Sequence, residues 1–183
     1  MDTRLKTIII KIEGGKYMLT EEFSKFWEIY DSSFPEDEKR DKQTQRKLLS
    51  NNKYKIIPYY NNGQMVGFVA LWMLGDIVFL EHLAIKKEFR GRGYGTKILK
   101  DIKKKYPGRV VLEVEPPKDE TAIRRIKFYK KAGFHFNEHH YVQPPLGRRK
   151  KPVPLKIMSY PKPVPKEKFD HLVRYINKNI HHE

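Results

Sequence analysis

The chain has 183 residues and no cysteine, which rules out disulfides, thiolate metal sites and a cysteine nucleophile. Its 38 lysines and arginines exceed its 22 acidic residues, for a formal net charge of +16. That excess favours an anionic partner such as nucleic acid or a phosphorylated ligand, unless it only solubilises the surface. Apolar residues at 39% and aromatics at 13% support one packed core, with two domains cramped. No apolar run approaches the roughly 20 residues that span a bilayer, and the first residues lack a signal-peptide pattern, so the expectation is a cytoplasmic protein without membrane contact, monomeric or homodimeric.

In chain order, "KTIIIKI" and "GGKYMLT" read as short strands. "TEEFSKFWEIYDSSF" predicts a helix capped by Thr20, with Glu21 and Glu22 in its first turn and Phe23, Phe26, Trp27 and Tyr30 at helical spacing. Pro35 then opens a second, charged helix expected to run to about Ser50. "KYKIIPYYNNGQMVGFVALWML" predicts a hairpin turning at Asn62-Gly63. "DIVFLEHLAI" is apolar on both faces, as a buried central strand is. "GTKILKDIKKKY" predicts a helix ending before Pro107-Gly108, "RVVLEVEPP" another buried strand, and "DETAIRRIKFYKKAGF" a helix closing at Gly133. Two strands and a last helix come next, with the basic run "GRRKK" at 147–151 between the strands. Strands joined in part by crossing helices argue an α/β layered sheet, part parallel and part antiparallel.

The stretch "EFRGRGYGTKIL" carries three alternate glycines, Gly91, Gly93 and Gly95, between a buried strand and an amphipathic helix. A helix start presents unpaired N–H groups and partial positive charge, glycines let a loop wrap an anion, and Arg90 and Arg92 can add charge-assisted bonds. The dinucleotide fingerprint fails because Thr96 stands where its third glycine belongs. The Walker loop fails because the order is Gly95-Thr96-Lys97.

The string from Arg90 to Gly95, R-x-x-G-x-G, preceded by Ala84-Ile85 and followed by a helix, resembles the acyl-CoA-binding signature of the GNAT N-acetyltransferase family. "FYKKAGF", Phe128 to Phe134, resembles the family's later helix, in which a tyrosine lies four residues before a glycine. The resemblance covers roughly residues 17 to 136, and the tail, with "YVQPP" and "KIMSYPK", resembles a poorly characterised bacterial subset. The chain departs from many members at Ala122, where they carry an asparagine that touches the pantetheine arm. The resemblance implies a mixed, mainly antiparallel sheet with a parallel central pair and helices on both faces. It implies one domain over residues 1–183, with 134–183 as an extension. It further implies acetyl-CoA as co-substrate and direct acetyl transfer to an amine. CoA would lie along Leu83, Ala84 and Ile85, whose backbone would pair with the pantetheine, and along the loop Arg90, Gly91, Arg92, Gly93, Tyr94, Gly95 and Thr96.

Such a reaction must neutralise an amine of pKa about 10.4, which costs on the order of 4–5 kcal/mol at neutral pH. Glu81 is the first candidate base, since burial in an apolar strand would raise its pKa and it shares strand parity with Phe79, Leu83 and Ile85. A structural glutamate bonded to a neighbouring arginine or to backbone is the alternative. Glu113 and Glu115 on the next strand are rival bases. Tyr129 is the candidate acid for the departing thiolate, a role the resemblance supports, although Ile123, Ile126 and Tyr129 at helical spacing also fit a plain core face. His139, His140 and Tyr141 are expected near the acceptor pocket, His181 and His182 are expected to be solvated, and no spacing of ligand residues suggests a metal. The acceptor amine stays open, with the positive charge disfavouring polycations such as polyamines. Rival functions are acyl-CoA binding without transfer and nucleic-acid association, the latter as a secondary property because the basic residues are spread along the chain.

Overall fold

A computed structural model describes residues 20–147 and 149–180. The two N-terminal strand candidates, Arg148 and the His181-His182 pair lie outside the described residues, as does the Thr20 side chain. Helix α1 (Thr20–Ser33) starts the described chain, and Phe23, Phe26 and Tyr30 are buried along one of its faces. The charged segment after it is broken: a 3-10 turn at Glu36–Glu38, extended backbone at Lys39, then α2 (Lys42–Lys47) and a second 3-10 turn to Ser50. Asp41 starts α2 by accepting the Thr44 N–H at 2.9 Å. The interruption has a physical cause. The backbone N–H of Arg40 is held by Tyr30 Oη at 2.9 Å, and its guanidinium is drawn into the interior.

Strands β1 (Tyr54–Asn61) and β2 (Gln64–Leu74) form the expected hairpin, with Asn62 and Gly63 both at positive φ. Strand β3 (Ile77–Ile85) is next, then α3 (Tyr94–Lys105), β4 (Arg109–Val114), α4 (Glu120–Lys131), β5 (His135–Gln143), β6 (Val153–Tyr160) and α5 (Lys166–Ile180). One sheet runs β1-β2-β3-β4-β6-β5, antiparallel except for the central pair β3 and β4. Helices α1 and α5 pack on one face, with Phe79, Val111 and Ile157 among the strand residues beneath. Helices α3 and α4 pack on the other, over Val78, Val110 and Leu112. The mixed α/β sheet with one parallel pair is thus the architecture. The last hairpin belongs to the same sheet, with β6 inserted beside β4.

Strand β3 is irregular in two respects. The β3–β4 pairing covers only Ile77–Leu80 against Arg109–Leu112, and beyond it no ladder joins the two strands. At the same point the β2 register steps from Leu71↔Leu80 to Ala70↔His82, leaving Glu81 as the extra residue of a bulge. The bulge corrects the expected parity. Glu81, His82 and Ala84 join Phe79 on the α1 side, whereas Leu83 and Ile85 pack on the α3 side. In α4 the buried face is Ala122, Ile126 and Tyr129, and Ile123 is 38% exposed, so it does not share the core face expected of it.

Gly67 on β2 lies against the end of β3, where an added Cβ would stand 2.4 Å from the Ala84 carbonyl oxygen. That neighbour is backbone and cannot swing aside. Gly67→Ala is expected to lower stability by about 1–3 kcal/mol in urea unfolding. An unchanged midpoint would show that β3 shifts freely at this point.

Candidate active site

Where β3 and β4 part, a cleft of about 640 Å³ opens. Arg90, Gly91, Gly93, Gly95 and Thr96 line one end, Leu83–Ile85 with Phe128 and Tyr129 the middle, and Phe34, Glu38, His82, Glu113 and Gln143 the far end. Beyond Leu80 the edge of β3 that would face β4 carries no ladder, so those backbone groups of Glu81–Ile85 that point away from β2, apart from the Ile85 carbonyl, are open to an extended ligand.

The glycine loop is built by two different constraints. Gly91 and Gly93 adopt φ of 75° and 81°, the left-handed region that favours glycine, and Gly93 caps α3. Gly95 answers packing instead: a Cβ there would stand 3.1 Å from the tip of the Phe128 ring, which would have to give by a few tenths of an ångström. Arg90 Nε donates to the Ile85 carbonyl oxygen at 2.9 Å and ties the loop to the end of β3. Arg92 lies over the Phe89 ring, 5.5 Å from its centroid, and does not line the cleft. Tyr94 and Thr96 do. The start of α3, with the partial positive charge of a helix N-terminus, thus lies at one end of the cleft.

The carboxylates divide by partner. Glu81, with its side chain 2% exposed, receives Arg40 Nη1 at 2.8 Å, and its other oxygen lies 3.4 Å from His82 Nδ1. Burial acts to raise its pKa, but the Arg40 guanidinium and the neighbouring His82 ring outweigh it and hold the carboxyl well below the usual carboxylate range. This reverses the expected upward shift, and a carboxylate so stabilised is a poor proton acceptor. Glu115 is ion-paired with Arg125 at the cleft wall. Glu113 has no arginine: Tyr141 Oη donates to one oxygen and Gln143 Nε2 to the other at 2.6 Å. Burial, opposed by these two hydrogen bonds, pushes its pKa up to about 7. Glu38, in the 3-10 turn, is also shifted upward, chiefly by burial and then by the nearby Glu115.

Tyr129 lines the cleft from α4, between Phe128 and Phe134. Burial pushes its pKa up to about 12, so it keeps its proton at neutral pH. Of the late histidines, His139 packs at a tilt against the Phe169 ring of α5 and meets the Val164 carbonyl, away from the cleft, and Tyr141 of that trio reaches the site through Glu113. The residues that sequence reasoning missed are Glu38, Arg40, His82 and Gln143. Gln143 was the most accessible to inference, since it shares β-strand parity with Tyr141.

The Glu113 shift has a linkage consequence. Its folded pKa lies above the ordinary carboxylate value, so the folded state holds a proton the unfolded state releases, and stability falls as pH rises from about 4.5 through about 7. Relative to Glu113→Gln, the wild type is expected to lose up to about 3 kcal/mol between pH 5 and 8 in denaturant titrations. A difference that does not vary with pH would contradict the raised ionisation.

A model of the Acetyltransferase (GNAT) family matches residues 18–134. The candidate acetyltransferase YjbC of Bacillus subtilis (strain 168) is 28% identical over 111 residues, which are 60% of this chain and 56% of YjbC, so the match spans little more than half of that relative's length. A candidate GNAT-family acetyltransferase from Bacteroides thetaiotaomicron superposes with a TM-score of 0.82 at 24% identity, covering 96% of both chains. An aminoglycoside 6'-N-acetyltransferase complexed with coenzyme A superposes with a TM-score of 0.58 at 14% identity, over 81% of this chain and 95% of the other. Among the described residues no helix is long and apolar enough to cross a membrane. The family match covers well over half the chain and contains the whole glycine loop and the tyrosine of α4, and this chain belongs to the GNAT family of acetyltransferases.

Proposed function

We propose that the chain moves an acetyl group from acetyl-CoA to a primary amine by direct attack, with Glu113 as the proton acceptor and Tyr129 as the proton donor. The observation that carries this reading is the single cleft that joins the start of α3 to a buried carboxyl of pKa about 7. The CoA pyrophosphate would rest on the N–H groups at the start of α3, and the pantetheine amides would pair with the free edge of β3 at Leu83–Ile85. Ala122 is buried, with its N–H held by Asp119 at 2.9 Å, so the pantetheine contact many relatives make from that position is absent here. Acetyl-CoA, when bound, supplies an activated thioester.

Glu113 takes the proton of the attacking ammonium, directly or through water, and Tyr141 and Gln143 hold its carboxyl in place. Glu81 fixes Arg40 and the bulge and acts as a positioning residue. Tyr129 returns a proton to the departing thiolate, for which a phenol of pKa about 12 is always loaded. The nucleic-acid reading has less support. In the basic run, Lys150 is bound to Glu36 and the backbone of Lys151 to Asp37, so these two residues are anchored to the acidic turn. A cytoplasmic setting fits the reading.

Release of CoA thiol across a library of primary amines tests the activity. Glu113→Gln is expected to lower kcat by about 10²–10⁴ and to remove an acidic limb centred near pH 7, with CoA affinity within about threefold of wild type. Retention of that limb would assign the base elsewhere. Tyr129→Phe should likewise reduce turnover more than CoA affinity. Gly93→Val, strained at its left-handed φ, should weaken CoA binding by at least about tenfold in a folded protein, and unchanged affinity would remove the loop from the CoA site.

A further inference from the structure

Four carboxylates line the cleft, and two of them are neutralised by arginines, Glu81 by Arg40 and Glu115 by Arg125. Glu38 and Glu113 have no cation within ion-pair distance among the described residues. Glu113 is occupied by its two hydrogen bonds and, on the reading above, by the reacting amine. Glu38 has no such task. Its carbonyl oxygen meets His82 Nε2 at 3.0 Å, which fastens the 3-10 turn to the β3 bulge and fixes the residue at the far end of the cleft. The turn is held from its other side by Lys150, which donates to the Glu36 carbonyl oxygen at 2.7 Å.

A second feature points independently to a ligand. Gln143 is only 5% exposed, its Nε2 is committed to Glu113, and its Oε1 is buried without a partner among the described residues. A buried acceptor of this kind is costly to leave empty and calls for a donor from the cleft. The far end therefore offers three acceptors, a hydrogen-bonding oxygen at Gln143, a carboxyl at Glu113 and a carboxylate without an ion pair among the described residues at Glu38, while the nearby Arg125 and His82 face Glu115 and Glu81. The local charge is opposite in sign to the net +16 of the chain, and local charge, not the total, faces an acceptor in the cleft.

We propose that this end of the cleft selects an acceptor with a second positive charge, a diamine in preference to a monoamine, with Gln143 Oε1 accepting a hydrogen bond from the reacting amine and Glu38 holding the remote ammonium. The inference rests on the acetyl-transfer reading for the first amine, and it runs against the expectation that polycations are disfavoured. Glu38 is the residue that distinguishes the two ends of such an acceptor: the Arg125 charge also reaches it, but Arg125 is ion-paired with Glu115 and Glu38 has no ion pair of its own among the described residues.

The test compares 1,5-diaminopentane, 1-aminopentane and 5-aminopentanoate as acceptors at about pH 7.5, where the amines are protonated. The expected kcat/KM for the diamine exceeds that for the monoamine by at least about tenfold, with 5-aminopentanoate the poorest. Glu38→Gln should bring the diamine-to-monoamine ratio toward one, and Glu38→Lys should favour 5-aminopentanoate over the diamine. A wild-type ratio near one, or a ratio that Glu38→Gln leaves unchanged, overturns the proposal while leaving the transfer reading intact. If none of the three is acetylated, calorimetric titration of 1,5-diaminopentane into the protein–CoA complex decides separately. Binding that Glu38→Gln abolishes supports the site, and no binding in the wild type overturns it.

Discussion

The parallel ladder between β3 and β4 stops at Leu80 and Leu112, and the cleft exists because it stops there. The bulge at Glu81 coincides with that end point. An extra residue raises local twist and turns two successive side chains to one face, so Glu81 and His82 both point toward α1 and the Glu36–Glu38 turn. The Arg40–Glu81 pair then locks the arrangement. Both side chains are nearly fully buried, and loss of either partner would strand the other charge at a cost of about 3–5 kcal/mol. Tyr30 on the Arg40 backbone and Gln45 on the Tyr54 hydroxyl, at 2.7 Å, continue the same polar layer beneath the sheet.

This layer sorts carboxylates that the sequence leaves alike. Glu81 and Glu113 are both buried glutamates on central strands facing the same side. Arg40 reaches only the first. The result is one carboxyl held ionised and one poised near neutrality, each on the residue that follows the last β3–β4 paired position of its strand. Divergent environments acting on chemically identical groups are how acid–base roles are separated. Tyr129 completes the set from the opposite helix layer, protonated because it is buried.

Local signals in the sequence reached a long way. Asn62-Gly63 marked its turn, apolar runs marked β3 and β4, and the alternate glycines marked the loop between β3 and α3. Those features depend on neighbours in sequence. What stayed hidden depends on distant partners. Arg40 lies 41 positions from Glu81, so the sequence can offer an arginine partner only as a general alternative and does not point to Arg40. The bulge was equally silent, because it shows only in the register against β2, and it broke a parity inferred from regular alternation. The insertion of β6 between β4 and β5 brought Tyr141 and Gln143 onto Glu113, a juxtaposition that strand order alone creates. Even the glycines, which read as one motif, answer separate demands: backbone conformation at Gly91 and Gly93, ring packing at Gly95.

On the proposed mechanism Glu113, not Glu81, is the carboxyl that changes protonation in the working range. Carbon-13 NMR of the glutamate side-chain carboxyls, assigned through Glu113→Gln and followed from pH 3 to 9, reads this without any acceptor. The Glu113 signal is expected to titrate near pH 7 while the Glu81 signal remains that of a carboxylate throughout the range. A Glu113 midpoint near the ordinary value of about 4.3, or a near-neutral titration at Glu81, would contradict it.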